Sequence, residues 1–365
     1  MRSPRRRTWP WLVVAALLLL VGGWVMLGAE PPPRPPPPPI DLPTRMTPAE
    51  RARVEARRTF LPAQPADGVQ APPPRPMDPL LSLAPSSIER GAVVAEVSAI
   101  LNSELGGLLF ECVTAGAPRL LSDLRDAGFD PMVHVDRMAV FDDTLAMTGS
   151  LQKLPMPPGS VVKQYGRRAK LVELPGGNAD DVLGVWDDQL LVAAKDEAST
   201  KALLDRLERG EAPRASPLTD SLAFGEVYGV INPQALGDLF GEDDRQVRDA
   251  LVSATKGLQL HVDVGHDVGV VADVEANDAA RTDELRRTIG SVVSLARLRA
   301  QSRGRSREAE LLDLARVRGG SGGGFRVEAG VPHEMMKTML AQCVQRQQER
   351  LARRASAADA GSAAP

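Results

Sequence analysis

Residues 258–270 read Leu-Gln-Leu-His-Val-Asp-Val-Gly-His-Asp-Val-Gly-Val. In an extended chain Leu258, Leu260, Val262 and Val264 share one face, and Gln259, His261 and Asp263 take the other. Gly265-His266-Asp267, set between two apolar runs, is hairpin-turn chemistry. A strand with one apolar and one polar face belongs to an antiparallel sheet covered by helices on one side. Two more segments have the same form: Met138–Met147 around Asp142-Asp143, and Val185–Val192 around Asp187-Asp188.

Working outward from these hairpins, helical periods alternate with strands. Gly91–Val97 reads as a strand, and Ser98 as the cap of a helix with the stripe Leu101, Leu105, Leu108 and Cys112. Asp196 caps a helix to Arg209. Leu285, Ile289, Val292 and Ala296 stripe another, and Ser306 caps a third. Phe325, Val327, Ala329 and Val331 alternate as a late strand, and a last helix from His333 carries Met336, Leu340 and Cys343. The stretch GAVVAEVSAILNSELGGL from Gly91 parallels GEVYGVINPQALGDLF from Gly225: a strand, a capping Ser or Asn, then a helix. The expected fold is α+β, with two related halves of antiparallel sheet at 86–215 and 216–350. An Ala/Ser-rich tail at 351–365 is expected to be disordered.

The N-terminal region has a different composition. Residues 9–28 read WPWLVVAALLLLVGGWVMLG without a charge. At ~1.5 Å per residue this run spans a hydrocarbon core of ~30 Å. Residues 1–8 carry Arg2, Arg5, Arg6 and Arg7, so the positive-inside rule keeps the N-terminus cytoplasmic and exports the rest. The expectation is a retained single-pass anchor in a bacterial inner membrane. Residues 29–85 are expected to form a Pro-rich stalk. Within it, Thr47-Pro48-Ala49-Glu50 is a capping box that starts a short helix to about Arg58.

Net charge is −3, so no global charge draws the chain to nucleic acid. Outside the anchor Trp186 is the only tryptophan, which leaves little aromatic surface for stacking bases or sugars. Cys112 and Cys343, an even pair in an exported domain, suit a disulfide between the first and last helices. Arg297, Arg299, Arg303, Arg305 and Arg307 crowd the link between two helices and could face an anionic membrane surface or an acidic partner.

Gly319-Gly320-Ser321-Gly322-Gly323 matches G-x-S-x-G, but the alternating run that follows makes it a hairpin loop. Ser160-Val-Val-Lys163 and Ser253-Ala-Thr-Lys256 fit S-x-x-K without the companion motifs of that enzyme class. His333-Glu334 begins H-E-x-x but lacks a second histidine at residue 337. His261, Asp263, His266 and Asp267 read as strand-face and turn residues, and the Asp pairs at 142–143 and 187–188 as turns. No catalytic, cofactor or metal residues are assigned, and no cofactor is expected.

The stretches AVFDDTLAMTGSL (139–151), VWDDQLLVAAKDEASTKALLDRLERG (185–210) and ELLDLARV (310–317) resemble uncharacterised anchored proteins of high-GC Gram-negative bacteria. The resemblance implies an envelope location and a duplicated domain, and transfers no functional residues. The expected function is a non-enzymatic binding or scaffold module of the envelope, held in the membrane by 9–28, with an envelope protein or anionic surface as partner. The alternatives are a lipid or hydrophobic-ligand binding module and, last, a hydrolase.

Overall fold

A computed structural model describes residues 40–60, 76–114, 125–126, 128–156, 158–175, 182–211, 216–237, 245–304 and 306–362. The expected anchor at 9–28 and most of the proline run lie outside the described residues. Among the described residues no helix is long and apolar enough to cross a membrane.

The chain opens with helix α1 (Pro48–Ala56) and a two-residue ladder, β1 (Thr59–Phe60) with β2 (Pro76–Met77). A first series follows: β3 (Gly91–Ala95), α2 (Val97–Leu101), α3 (Glu104–Thr114), α4 (Pro131–His134), β4 (Val135–Phe141), β5 (Thr144–Gly149), β6 (Val161–Gln164), β7 (Ala169–Glu173), β8 (Val182–Trp186), β9 (Leu190–Ala193) and α5 (Glu197–Glu208). The second is β10 (Val227–Ile231), α6 (Pro233–Gly237), α7 (Arg245–Ala254), β11 (Thr255–Asp263), β12 (Val268–Ala276), α8 (Ala279–Ser302), α9 (Ser306–Asp313), β13 (Ala315–Gly319), β14 (Phe325–Val331) and α10 (His333–Ser362). Each series runs strand, helices, hairpin, inserted elements, strand, helix.

All strands from β3 onward join one antiparallel sheet in the order β13-β14-β12-β11-β10-β3-β4-β5-β9-β8-β7-β6. The leading strands of the two series, β3 and β10, pair at its middle, with Val94 opposite Tyr228 and Val93 opposite Gly229. Gly229 is required there, because a Cβ would stand 2.3 Å from the Ala92 carbonyl oxygen. The halves therefore meet backbone to backbone within one sheet.

The three expected hairpins form β4–β5, β8–β9 and β11–β12. Asp142, Asp187 and Asp188 hold positive φ in the first two turns, a conformation aspartate tolerates better than most residues. The helices do not keep to one side of the sheet. Leu204 and Leu207 of α5 pack with Leu171, Trp186 and Val192 on the face that also carries Val94, Ala139 and Tyr228. Met335, Met336, Met339 and Leu340 of α10, with Leu105 of α3, pack on the opposite face, against Val93, Leu260 and Val262.

Three expectations need correction. The helix after β3 is broken between α2 and α3. Ser103 accepts the amide of Gly106 at 2.9 Å, and a Cβ on Gly106 would clash with the Ile100 carbonyl. Ser98 does not cap; it donates to Asp136 at 2.6 Å. Of the stalk expected over 29–85, residues 40–60 and 76–85 are described, and several of them lie on the sheet. Ile40 covers Gly330, Pro43 covers Gly269, and Leu80, Leu83 and Ala84 are in the core. The tail is not irregular: α10 continues to Ser362, as a run rich in alanine favours.

Candidate functional site

The most heavily buried charges of the described chain form a network where the N-terminal segment meets the sheet. Asp78, just after β2, accepts two hydrogen bonds from Arg137 of β4, at 2.5 and 3.0 Å, and both side chains are almost fully buried. Glu96, at the end of β3, accepts two from Arg57, at 2.8 and 2.5 Å, and a third from the Tyr228 hydroxyl at 3.1 Å. Burial, with the Glu96 carboxylate adding to it, pushes the Tyr228 hydroxyl far up. Glu50 of α1 accepts the Gly225 amide at 2.6 Å, and Arg58 donates to Asp220 at 2.7 and 3.2 Å. Each carboxylate is taken by a guanidinium or an amide. The arrangement fastens α1 and the segment around Asp78 across the β3–β10 junction.

The capping box that builds α1 forms as the sequence predicts. Thr47 accepts the Glu50 amide, and Glu50 accepts the Thr47 amide. This helix hides part of the polar sheet face. His261 is buried, stacked on Phe224 at 3.6 Å between ring centres, with Nδ1 3.2 Å from the Phe224 carbonyl oxygen. Burial holds its imidazole below the usual range. Nearby, Glu226 accepts the Val264 amide at 2.9 Å and is pushed up to about 7, by burial first and by Asp263 beside it.

Cys112 of α3 and Cys343 of α10 are bridged, with Cα atoms 5.5 Å apart and a sequence separation of 231. Met335, Met336 and Met339 of α10 are all buried against the sheet. The motif residues stay apart. Ser321 lies in the β13–β14 hairpin turn, Ser160 and Lys163 at the β6 edge, and Ser253 on α7. His333 instead stacks on His266, 5.0 Å between ring centres. Asp142 accepts the amides of Arg90 and Gly91 at 2.7 and 3.1 Å, Asp143 pairs with Arg90, and Asp188 with Lys170.

Of the arginine cluster, Arg297, Arg299 and Arg303 lie at the exposed C-terminal end of α8. Arg297 donates to Asp313 at 2.6 Å. Arg305 is outside the described residues, and Arg307 is the second residue of α9. Sequence reasoning missed the apolar half of this surface. Val292, expected on the inward stripe, is 51% exposed, and Leu295 and Leu298 are 47% and 56% exposed. Leu285 is buried at the start of α8, beside Val274 and Phe325. Farther along the helix, Arg297 reaches Asp313 of α9. Arg287, Gly290, Ser291 and Ser294 complete a shallow open groove with Leu295 and Leu298.

No family model matches the chain, and no curated protein matches it. Among solved structures it is similar to TP0453 in three crystal forms. Form III shares 10% identity at a TM-score of 0.42, covering 72% of this chain and 97% of that one. Form IV gives 11% and 0.42, with 71% and 96% covered. Form I gives 11% and 0.39, with 72% and 97% covered.

Proposed function

We propose that this protein is a membrane-anchored, extracytoplasmic, non-enzymatic binding or scaffold module of the bacterial envelope. The observation that carries the reading is the buried joint between the segment following the anchor and the sheet. Arg57–Glu96 and Asp78–Arg137 use buried charges to hold the N-terminal segment in place. Buried ion pairs contribute little net stability, but leaving one partner buried without the other costs about 3–5 kcal/mol. A body whose membrane-proximal segment is locked into its central strands is held in a defined orientation to that segment. This suits a module that presents a surface, and α8 offers the surface.

Two measurements test the proposal. Alkaline phosphatase fused after Ser362 is expected to be active, and the chain is expected to stay in membranes at alkaline pH. Inactivity of a stable fusion, or release by carbonate, contradicts it. Native mass spectrometry of the detergent-extracted chain is expected to show polypeptide alone once detergent is removed. A retained small molecule would instead favour a ligand carrier.

A further inference from the structure

The exposed half of α8 combines three features. First, Val292, Leu295 and Leu298 repeat at intervals of three residues on the solvent side of a helix. Second, the hydroxyls beside them are already satisfied: Ser291 donates to the Arg287 carbonyl at 2.9 Å, and Ser294 to the Gly290 carbonyl at 2.8 Å. A face whose polar atoms bond back to their own helix can enter an apolar medium without stranding donors. Third, Arg299 and Arg303 are exposed beside the aliphatic side chains, while Arg287 is paired to Asp283 one turn back and Arg297 to Asp313 on the adjoining helix. Long cationic side chains around a short aliphatic stripe are the composition of a helix that lies in a lipid headgroup layer.

The place of this surface in the fold supplies an independent argument. Arg297 is paired with Asp313, two residues before Ala315. Ala315 pairs with Ala329, and the adjacent Gly330 is the residue covered by Ile40. The arginine-bearing end of α8 is therefore at the sheet end where the described N-terminal segment begins. Eleven residues, 29–39, separate Ile40 from the end of the expected anchor. As polyproline II at ~3.1 Å per residue they reach about 34 Å. A folded body of this size is about 50 Å across. On so short a tether, the end bearing Ile40 is the end kept near the bilayer.

We propose that the second half of α8 docks on anionic phospholipid of the membrane that holds the anchor, with Val292, Leu295 and Leu298 entering the interface and Arg299 and Arg303 engaging phosphate headgroups. This rests on the anchored reading above. A second copy of the chain fits less well, since a two-fold contact on this face would oppose arginine to arginine. The surface also lacks the aromatic anchors on which protein partners usually close.

The test uses the full chain in vesicles, with a bimane fluorophore on S294C as a probe of the surface. Carbonate extraction first reports whether the chain is retained, so failure of the anchor is scored separately. In vesicles containing phosphatidylglycerol, the fluorescence is expected to shift to the blue and to be quenched by brominated acyl chains. In phosphatidylcholine alone both effects are expected to be lost. The variant R299E/R303E, altered at exposed positions, is expected to lose both while keeping the parent melting temperature. A retained protein whose probe is unquenched in both vesicle types overturns the proposal. So does quenching that is equal in both, or a blue shift that follows protein density rather than lipid charge, the mark of a second copy.

Discussion

At the residue scale the decisive group is Arg137. Its guanidinium is buried with Asp78, and removing one partner leaves an uncompensated charge in the core. D78N is expected to destabilise the fold by about 3–5 kcal/mol, whereas an apolar pair such as D78L/R137M is expected to recover most of the loss. Urea unfolding of the three proteins checks both. Nothing in the local sequence marked Arg137, because a period-two strand pattern gives facing and not partners, and Asp78 is 59 residues away.

A second residue-scale prediction concerns pH. Glu226 is raised to about 7, so the fold favours its protonated form, and that contribution is lost as pH rises through 7. His261 is lowered from 6.5, so the fold favours its neutral form, and that contribution is lost as pH falls below 6.5. The melting temperature is therefore expected to rise as pH drops from 8 towards 6.5, and E226Q is expected to flatten that rise. A parent curve with no slope in this window contradicts the assignment.

At the element scale, the hairpins were legible because Asp-Asp and Gly-His-Asp turns sit between apolar runs of strand length. The strands that open at Gly91 and Val227 were legible as well. The short strands β6 and β7 were not: Val161–Gln164 is exposed along its length and buries no face, and Ala169–Glu173 is only five residues long. Residues 40–85 were read as stalk because proline and charge dominate the composition. What overrides composition there is tertiary: Leu80 and Leu83 enter the core, and Arg57 finds Glu96. A fragment starting at Ser86 is thus expected to fold poorly or to unfold at lower urea than one starting at Ile40. Equal stability would show that α1 and the Asp78 segment contribute nothing. G229V, which drives a side chain into the Ala92 carbonyl, is expected to destabilise by more than a typical surface change of about 0.5 kcal/mol.

At the scale of the whole molecule, the sequence pointed to two halves, and the structure shows one sheet whose middle is the seam between them. The Cys112–Cys343 bridge spans that seam, tying α3 of the first half to α10 of the second. Closing so long a loop limits the unfolded chain by up to about 5 kcal/mol, and C112A/C343A is expected to lose a few kcal/mol of stability in urea. The pairing could be read from the sequence because both cysteines lie on apolar helix stripes. The apolar surface of α8 could not, since an inward stripe and an outward one have the same period and only the sheet's extent decides between them.

The central claim is that this body lies outside the cytoplasm, on an anchor, with α8 on its surface. It is tested most directly by labelling S253C, at an exposed position of α7 away from the proposed lipid-facing surface, in intact spheroplasts with a membrane-impermeant maleimide. The native cysteines are bridged, so the introduced thiol is the reactive one. The account predicts full labelling without lysis. Labelling only after the membrane is permeabilised would contradict it.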